Sequence, residues 1–158
     1  PEPNGFDAAI LINMQPAFSA LYQYRPSPID PVFTRISKKG FNEWYRQRMK
    51  RPRLIAYEQA VDLSLRELAT DFVQYPCDMP NWDNTPRSGL NGVVFHGSTP
   101  ELFRVHLRTV LEQVQHRDAD HRIVFVKSWN EWAEGNYLEP DHRYGRAYLD
   151  VTKQEVIR

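Results

Sequence analysis

Ile123-Val124-Phe125-Val126 leads through Lys127 into Ser128-Trp129-Asn130-Glu131-Trp132-Ala133-Glu134-Gly135-Asn136-Tyr137-Leu138-Glu139-Pro140-Asp141. The four apolar residues read as a strand buried on both faces. The fourteen that follow hold two tryptophans, a tyrosine, three glutamates, an aspartate and two asparagines. A buried strand that opens into crowded acids and aromatics puts chemistry where α/β folds keep it, on loops at strand ends.

Working outward, the same grammar recurs. Gly5 to Ile12 reads as a first buried strand, stopped by Asn13-Met14-Gln15-Pro16. Residues 19–40 lack a clean period and read as an irregular loop, and Phe41 to Met49 as a short helix. Leu54-Ile55-Ala56-Tyr57 is a short strand or the lead into a helix. Ala60, Val61, Leu65 and Leu68 then share one helical stripe. Phe72 to Met79 is another strand, opening into the polar loop Pro80 to Arg87 with an exposed-looking Trp82. Gly92 to Gly97 is extended. Ser98-Thr99-Pro100-Glu101 reads as a helix start, capped by the Ser or the Thr, with Pro100 in the first turn and Ser98 with Glu101 matching a capping box. The helix runs to about His116, with Phe103, Leu107, Val110, Leu111 and Val114 facing inward. A strand over Arg122–Ser128 precedes the acidic loop, and Tyr144, Ala147, Tyr148 and Val151 give a last helix its buried stripe.

This βα alternation argues a parallel sheet. Three or four βα units are too few for a closed eight-stranded barrel, which takes about 250 residues. The fold is therefore a small open α/β domain or the C-terminal portion of a barrel.

With 158 residues the chain can bury a real core, and 20 basic against 20 acidic residues leave no global field for nucleic acid or an anionic membrane. No run of about 18 apolar residues spans a bilayer. Cys77 is the sole cysteine, which excludes an internal disulfide, and its place beside Pro76 reads as packing. The sequence opens on Pro1-Glu2-Pro3 without Met, so the natural start is expected to lie upstream.

Glu131 and Glu134 are the candidate catalytic pair. If the strand continued, they would diverge to about 10 Å on opposite faces. If the chain turns after Trp132, they meet at roughly 5–6 Å, near the ~5–5.5 Å of retaining glycosidases. Gly135 permits that turn. Trp82, Trp132 and Tyr137 are candidates to stack on sugar rings, whereas Trp129 reads as buried under the loops. Asp83 and Asn84 can bond sugar hydroxyls or form an Asx turn before Pro86. His96, just past an apolar run, is open between a structural role and a sugar contact. Glu139 and Asp141 flank Pro140 and line the site or order the loop through Arg143 or Arg146. The scattered histidines show no metal-ligand spacing and no Gly-rich phosphate cradle occurs, so neither metal nor cofactor is expected.

Trp129-Asn130-Glu131-Trp132-Ala133-Glu134-Gly135, then Tyr137-Leu138-Glu139-Pro140-Asp141 and Tyr144-Gly145, resemble the hallmark of WbsX-type proteins. These are bacterial polysaccharide-biosynthesis proteins, often labelled glycosyltransferases and related to glycoside hydrolase family 99. Pro80 to Arg87, Phe95 to Glu101 and Gly5 to Ala9 are similar to that family too. The resemblance implies a (β/α)8 TIM-type barrel, of which residues 1–158 would be a single partial domain, its C-terminal half or so. It implies an endo-α-mannosidase-like, retaining, metal-independent chemistry through an anhydro-sugar, with Glu131 as general base and Glu134 as general acid. It also implies a role in surface polysaccharide or lipopolysaccharide assembly. Ala133 stands where the hydrolases commonly carry histidine, and Leu11 and Asn13 where an acid is frequent. Asn130 joins Trp82, Asp83, Asn84, His96, Trp132, Tyr137 and Glu139 as substrate-binding candidates. The expected partner is an oligosaccharide or polysaccharide, with self-association or a missing N-terminal half to cover exposed strand edges. A bacterial cytoplasmic setting is expected. The competing readings are a non-catalytic carbohydrate-binding or inactive truncated module and an unrelated small α/β domain.

Overall fold

The computed structural model describes residues 5–12, 44, 48, 50–65 and 72–157. The expected strand stop at Asn13–Pro16, the loop over 19–40, Leu68 and nearly all of the helix from Phe41 to Met49 lie outside these. Parallel strands β1 (Ala8–Leu11), β3 (Val73–Asp78) and β6 (Phe125–Val126) form one sheet, in that order. From each C-terminal end the chain makes an excursion and then a helix. After β1 the next described strand is β2 (Arg53–Ala56), which passes straight into α1 (Tyr57–Ser64). The second excursion comprises β4 (Trp82–Asp83), the one-turn helix α2 (Thr85–Ser88) and β5 (Val93–His96), followed by α3 (Pro100–Val114). The third is the hairpin of β7 (Asn130–Glu131) and β8 (Asn136–Tyr137), followed by α4 (Ala147–Val156). Strands from the first two excursions join as a second sheet, β2-β5-β4, with β2 and β5 parallel and β4 antiparallel. The fold is therefore mixed α/β with parallel strands, as the alternation required.

Two apolar clusters hold it. Ile55, Tyr57, Ala60, Trp82, Val93 and Phe95 pack α1 onto the second sheet. Phe103, Leu107, Val110, Leu138, Tyr148 and Val151 lock α3 to α4, with Val124 and Val126 against them. The helical period of α3 put Phe103, Leu107, Val110 and Val114 inside as expected and Leu111 half-buried, and it also buries His106. That histidine's Nδ1 sits 2.6 Å from Oδ1 of the fully buried Asp78 at the end of β3. Burial pushes the Asp78 carboxyl above the usual range, and the His106 contact pulls it back. Met79 N–H also donates to Asp78 (2.8 Å), and Tyr57 O–H donates to the Met79 carbonyl (2.6 Å). This joint ties the two clusters together.

Four expectations are corrected. The strands at 5–12 and 122–128 are shorter and not buried on both faces, because the described residues cover only one face of the sheet: on the other, Ile10 is 45% exposed and Phe125 37%. The α3 cap is Thr99, whose hydroxyl accepts from Leu102 N–H, because the Ser98 hydroxyl instead bonds the Pro80 carbonyl and the Tyr148 hydroxyl. Tyr144 precedes α4 and reaches back to the Ser98 carbonyl. The polar loop from Pro80 to Arg87 contains β4 and most of α2, so Trp82 is only 7% exposed.

Phe103→Ala is expected to lower unfolding free energy by about 3–5 kcal/mol, and Val105→Ala, one turn-face away, by under about 0.5. Urea denaturation of both variants checks this, since Phe103 is 0% and Val105 61% exposed.

Candidate active site

The acidic loop turns where the sequence permits it. After Glu131 the chain makes a 3-10 turn over Trp132–Glu134, and Gly135 takes a left-handed φ of +53°. A Cβ there would fall 2.8–2.9 Å from the Cβ, N and O atoms of Asp83. Only glycine fits both demands. The turn is closed from behind by Ser128, whose hydroxyl donates to the Asn136 carbonyl (2.8 Å) and accepts from Glu131 N–H (3.1 Å). Asn81 Oδ1 accepts from Tyr137 N–H at 3.0 Å and fastens the hairpin to the loop after β3.

The turn brings the two glutamates together. Arg87 donates from Nη1 to Glu134 Oε1 (2.9 Å) and from Nη2 to Glu131 Oε1 (3.2 Å). Lys127 Nζ donates to the other Glu134 oxygen at 2.9 Å and lies 5.2 Å from the Trp82 ring centre. Lys127 is placed by its own N–H, which extends the sheet by donating to the Asp78 carbonyl (2.9 Å). Glu134 is the more sheltered acid, with 16% of its side chain exposed against 39% for Glu131. The turning geometry, not the continuing strand, is the one adopted.

Beside the pair, Trp132 stacks on Tyr137 with ring centres 3.8 Å apart, and its indole N–H donates to Glu139 (2.7 Å). Burial first, then Asp141, raises the Tyr137 phenol above its ordinary range. Trp132 remains 47% exposed, so this braced ring offers an open apolar surface. Asn130 and His96 are exposed, which excludes a satisfied core role for His96. The remaining motif residues are committed elsewhere. Asp83 Oδ1 accepts from Thr85 N–H (2.9 Å) and its hydroxyl (2.6 Å), the Asx-type turn. Asn84 Oδ1 accepts from Val93 N–H at 2.7 Å. Trp82 packs on Phe95, so its expected exposure is overturned. Trp129 is the reverse case: expected under the loops, it is 55% exposed. Asp141 orders its loop through Arg143 and Tyr144 N–H groups instead of arginine side chains. Cys77 is half-buried and its thiol is pushed up to about 11, chiefly by burial, which suits packing and not nucleophilic attack.

Arg87 and Lys127 are the residues that sequence reasoning missed. The available signal was that each is the sole cation of its stretch, Pro80 to Arg87 and Ile123 to Asp141, next to crowded carboxylates.

A parallel-strand α/β fold with a braced acid pair and an open aromatic surface at its strand ends defines the class. Within it, the sequence profile of the family described as glycosyltransferase WbsX matches residues 1–152, and the chain belongs to that family. Proteins from two strains of Xanthomonas campestris pv. campestris, each described as uncharacterized protein WxcX, are 43% identical over 102 residues. That alignment covers 64% of this chain but 14% of each relative, so the chain spans a small part of their length. A solved structure described as a glycoside hydrolase-like protein superposes with a TM-score of 0.40 and 19% identity, over 63% of this chain and 29% of that one.

Gly135→Ala is expected to cost about 1–2 kcal/mol from the left-handed backbone alone. The Asp83 contact adds to that, because backbone cannot swing aside as a flexible side chain does. Chemical denaturation measures the loss, and a variant as stable as the wild type would contradict the close approach.

Proposed function

We propose that this chain carries the two-carboxylate acid/base site of a carbohydrate-active protein that acts on an oligosaccharide or polysaccharide in bacterial surface-polysaccharide assembly. The observation that carries the reading is the meeting of Glu131 and Glu134 on one guanidinium, beside the exposed face of Trp132. Two carboxylates held this close, at the C-terminal ends of parallel strands, are the parts a glycosidic bond requires: one to deliver a proton to the leaving oxygen, one to accept a proton. By family likeness Glu134 is the donor and Glu131 the acceptor. Trp132 and Tyr137 bind the sugar ring by its C–H face, with Glu139 fixing the indole. Asn130 and His96 are exposed enough to bond hydroxyls. Trp82, Asp83 and Asn84 serve the site from beneath by shaping the loop after β3. Cleavage or transglycosylation is favoured over nucleotide-sugar transfer. The single Asp-x-Asp sequence, Asp118-Ala119-Asp120, precedes β6 at the end of that strand remote from Glu131.

The three βα units further support a reading as the C-terminal portion of a (β/α)8 barrel, residues 1–158 forming one partial domain. The sheet order β1-β3-β6 follows chain order, as in a barrel segment. Asp78 turns one sheet face onto α3 through His106. The opposite face, where Ile10 pairs with Tyr75 and Cys77 with Phe125, is apolar and partly exposed. Parallel sheets are stable with both faces covered, so further strands and helices would complete it. A structure of the longer protein in which Ile10 and Phe125 stay in solvent would refute the barrel.

Glu131→Gln and Glu134→Gln are each expected to reduce turnover at least about 100-fold while sugar binding persists. The assay is reducing-end release from yeast α-mannan and purified bacterial O-polysaccharides, with binding followed by calorimetry. Binding without any wild-type turnover would assign a non-catalytic carbohydrate-binding module instead.

A further inference from the structure

We propose that Arg87 is the positioning residue of the acid/base pair, holding the Glu131 and Glu134 carboxylates in one frame through the two ends of its guanidinium. This rests on the reading of those glutamates as the reacting groups. Arg87 spends Nη1 on Glu134 and Nη2 on Glu131, so both terminal nitrogens are committed to the pair. Two carboxylates brought this close repel, and a planar fork with parallel donors is the side chain that offsets the repulsion and fixes direction as well.

The surroundings of Arg87 are arranged to place it. It lies on the one-turn helix α2, whose start is fixed twice over: Asp83 bonds Thr85 through both its N–H and its hydroxyl, and Asn84, the residue before the helix, accepts from Val93 N–H of β5. The same Asp83 backbone is where Gly135 presses, one residue beyond Glu134. The loop bearing the cation and the turn bearing the acids are thus fitted to each other independently of the ion pair. The Arg87 side chain is 55% exposed, so the bridge adds little to folding and its use is geometric. Lys127 cannot substitute: it holds one oxygen of Glu134 and does not reach Glu131 among the described contacts.

The test uses the full-length protein as wild type, Arg87→Lys and Arg87→Gln, with thermal melts confirming that all three fold. Carboxylates are labelled with a water-soluble carbodiimide and glycine ethyl ester, and mapped by peptide mass spectrometry against the exposed Glu101. In Arg87→Gln, Glu131 is expected to label roughly two- to fivefold faster, the loss of an exposed ion pair. Glu134 should change less, because Lys127 keeps its second oxygen. Arg87→Lys restores protection at one carboxylate and not at both. On yeast α-mannan or O-polysaccharide, Arg87→Lys lowers kcat by about 100-fold, the scale of a misplaced reacting group, with KM nearly unchanged. Unchanged labelling of both glutamates in Arg87→Gln overturns the proposal, and so does a raised KM with intact kcat, which would make Arg87 a sugar contact. A wild type inert on every polysaccharide counts against the acid/base reading alone, since the labelling still decides whether Arg87 holds the pair.

Discussion

The close approach of Gly135 to the Asp83 backbone sets the spacing between the two loops that build the site. A left-handed residue with no Cβ lets the acidic turn settle onto the loop after β3, with only 2.8–2.9 Å available to a side chain. From that contact the rest follows. Asp83 is fixed by its own Asx turn, Arg87 is carried forward on α2, and Glu134 is delivered between Arg87 and Lys127. Arg87 and Glu131 are exposed enough that their ion pair could not impose this order, because surface pairs contribute at most about 1 kcal/mol. Backbone packing imposes it, and the charges register the result.

A second constraint lies beneath the site. Asp78 ends β3 in a fully buried position, and a buried acid without a partner is strongly destabilising, by about 3–5 kcal/mol. His106 from α3 and Met79 N–H answer it. The same residue's carbonyl receives Lys127 N–H, so the sheet that seats the core also aims the lysine at Glu134. At the far side of α3, buried Glu155 plays a similar part, gathering Arg104 and Arg108 (2.7 and 2.8 Å) and securing α4. Structural electrostatics and site electrostatics are thus separate systems joined at one strand end.

Much of this was legible in the residues. The period of α3 announced its inner face, the βα alternation announced parallel strands, and Gly135 announced a turn between the acids. The failures have a common cause. Ser98 and Thr99 are equally good caps by type, and the choice fell to Thr99 because Pro80 and Tyr148 claim the Ser98 hydroxyl. Trp82 and Trp129 both sit in polar loops. One is buried by Phe95 and its neighbours in the first cluster, the other faces solvent, and no local pattern separates them. The strands within 5–12 and 122–128 are shorter than their apolar runs because such a run does not say where its ladder partner stops.

By itself the sequence determined the family, the alternation of elements, the acid pair and the glycine that lets them meet. These are statements about residue type at short spacing, which local sterics and hydrophobic period enforce. Tertiary structure alone decided which cations reach the acids, which tryptophan stays wet and which motif residues are spent on scaffolding. Arg87 meets its two partners across 44 and 47 positions of chain, and a distance of that kind belongs to the packing of loops against each other. No local rule of the chain encodes it.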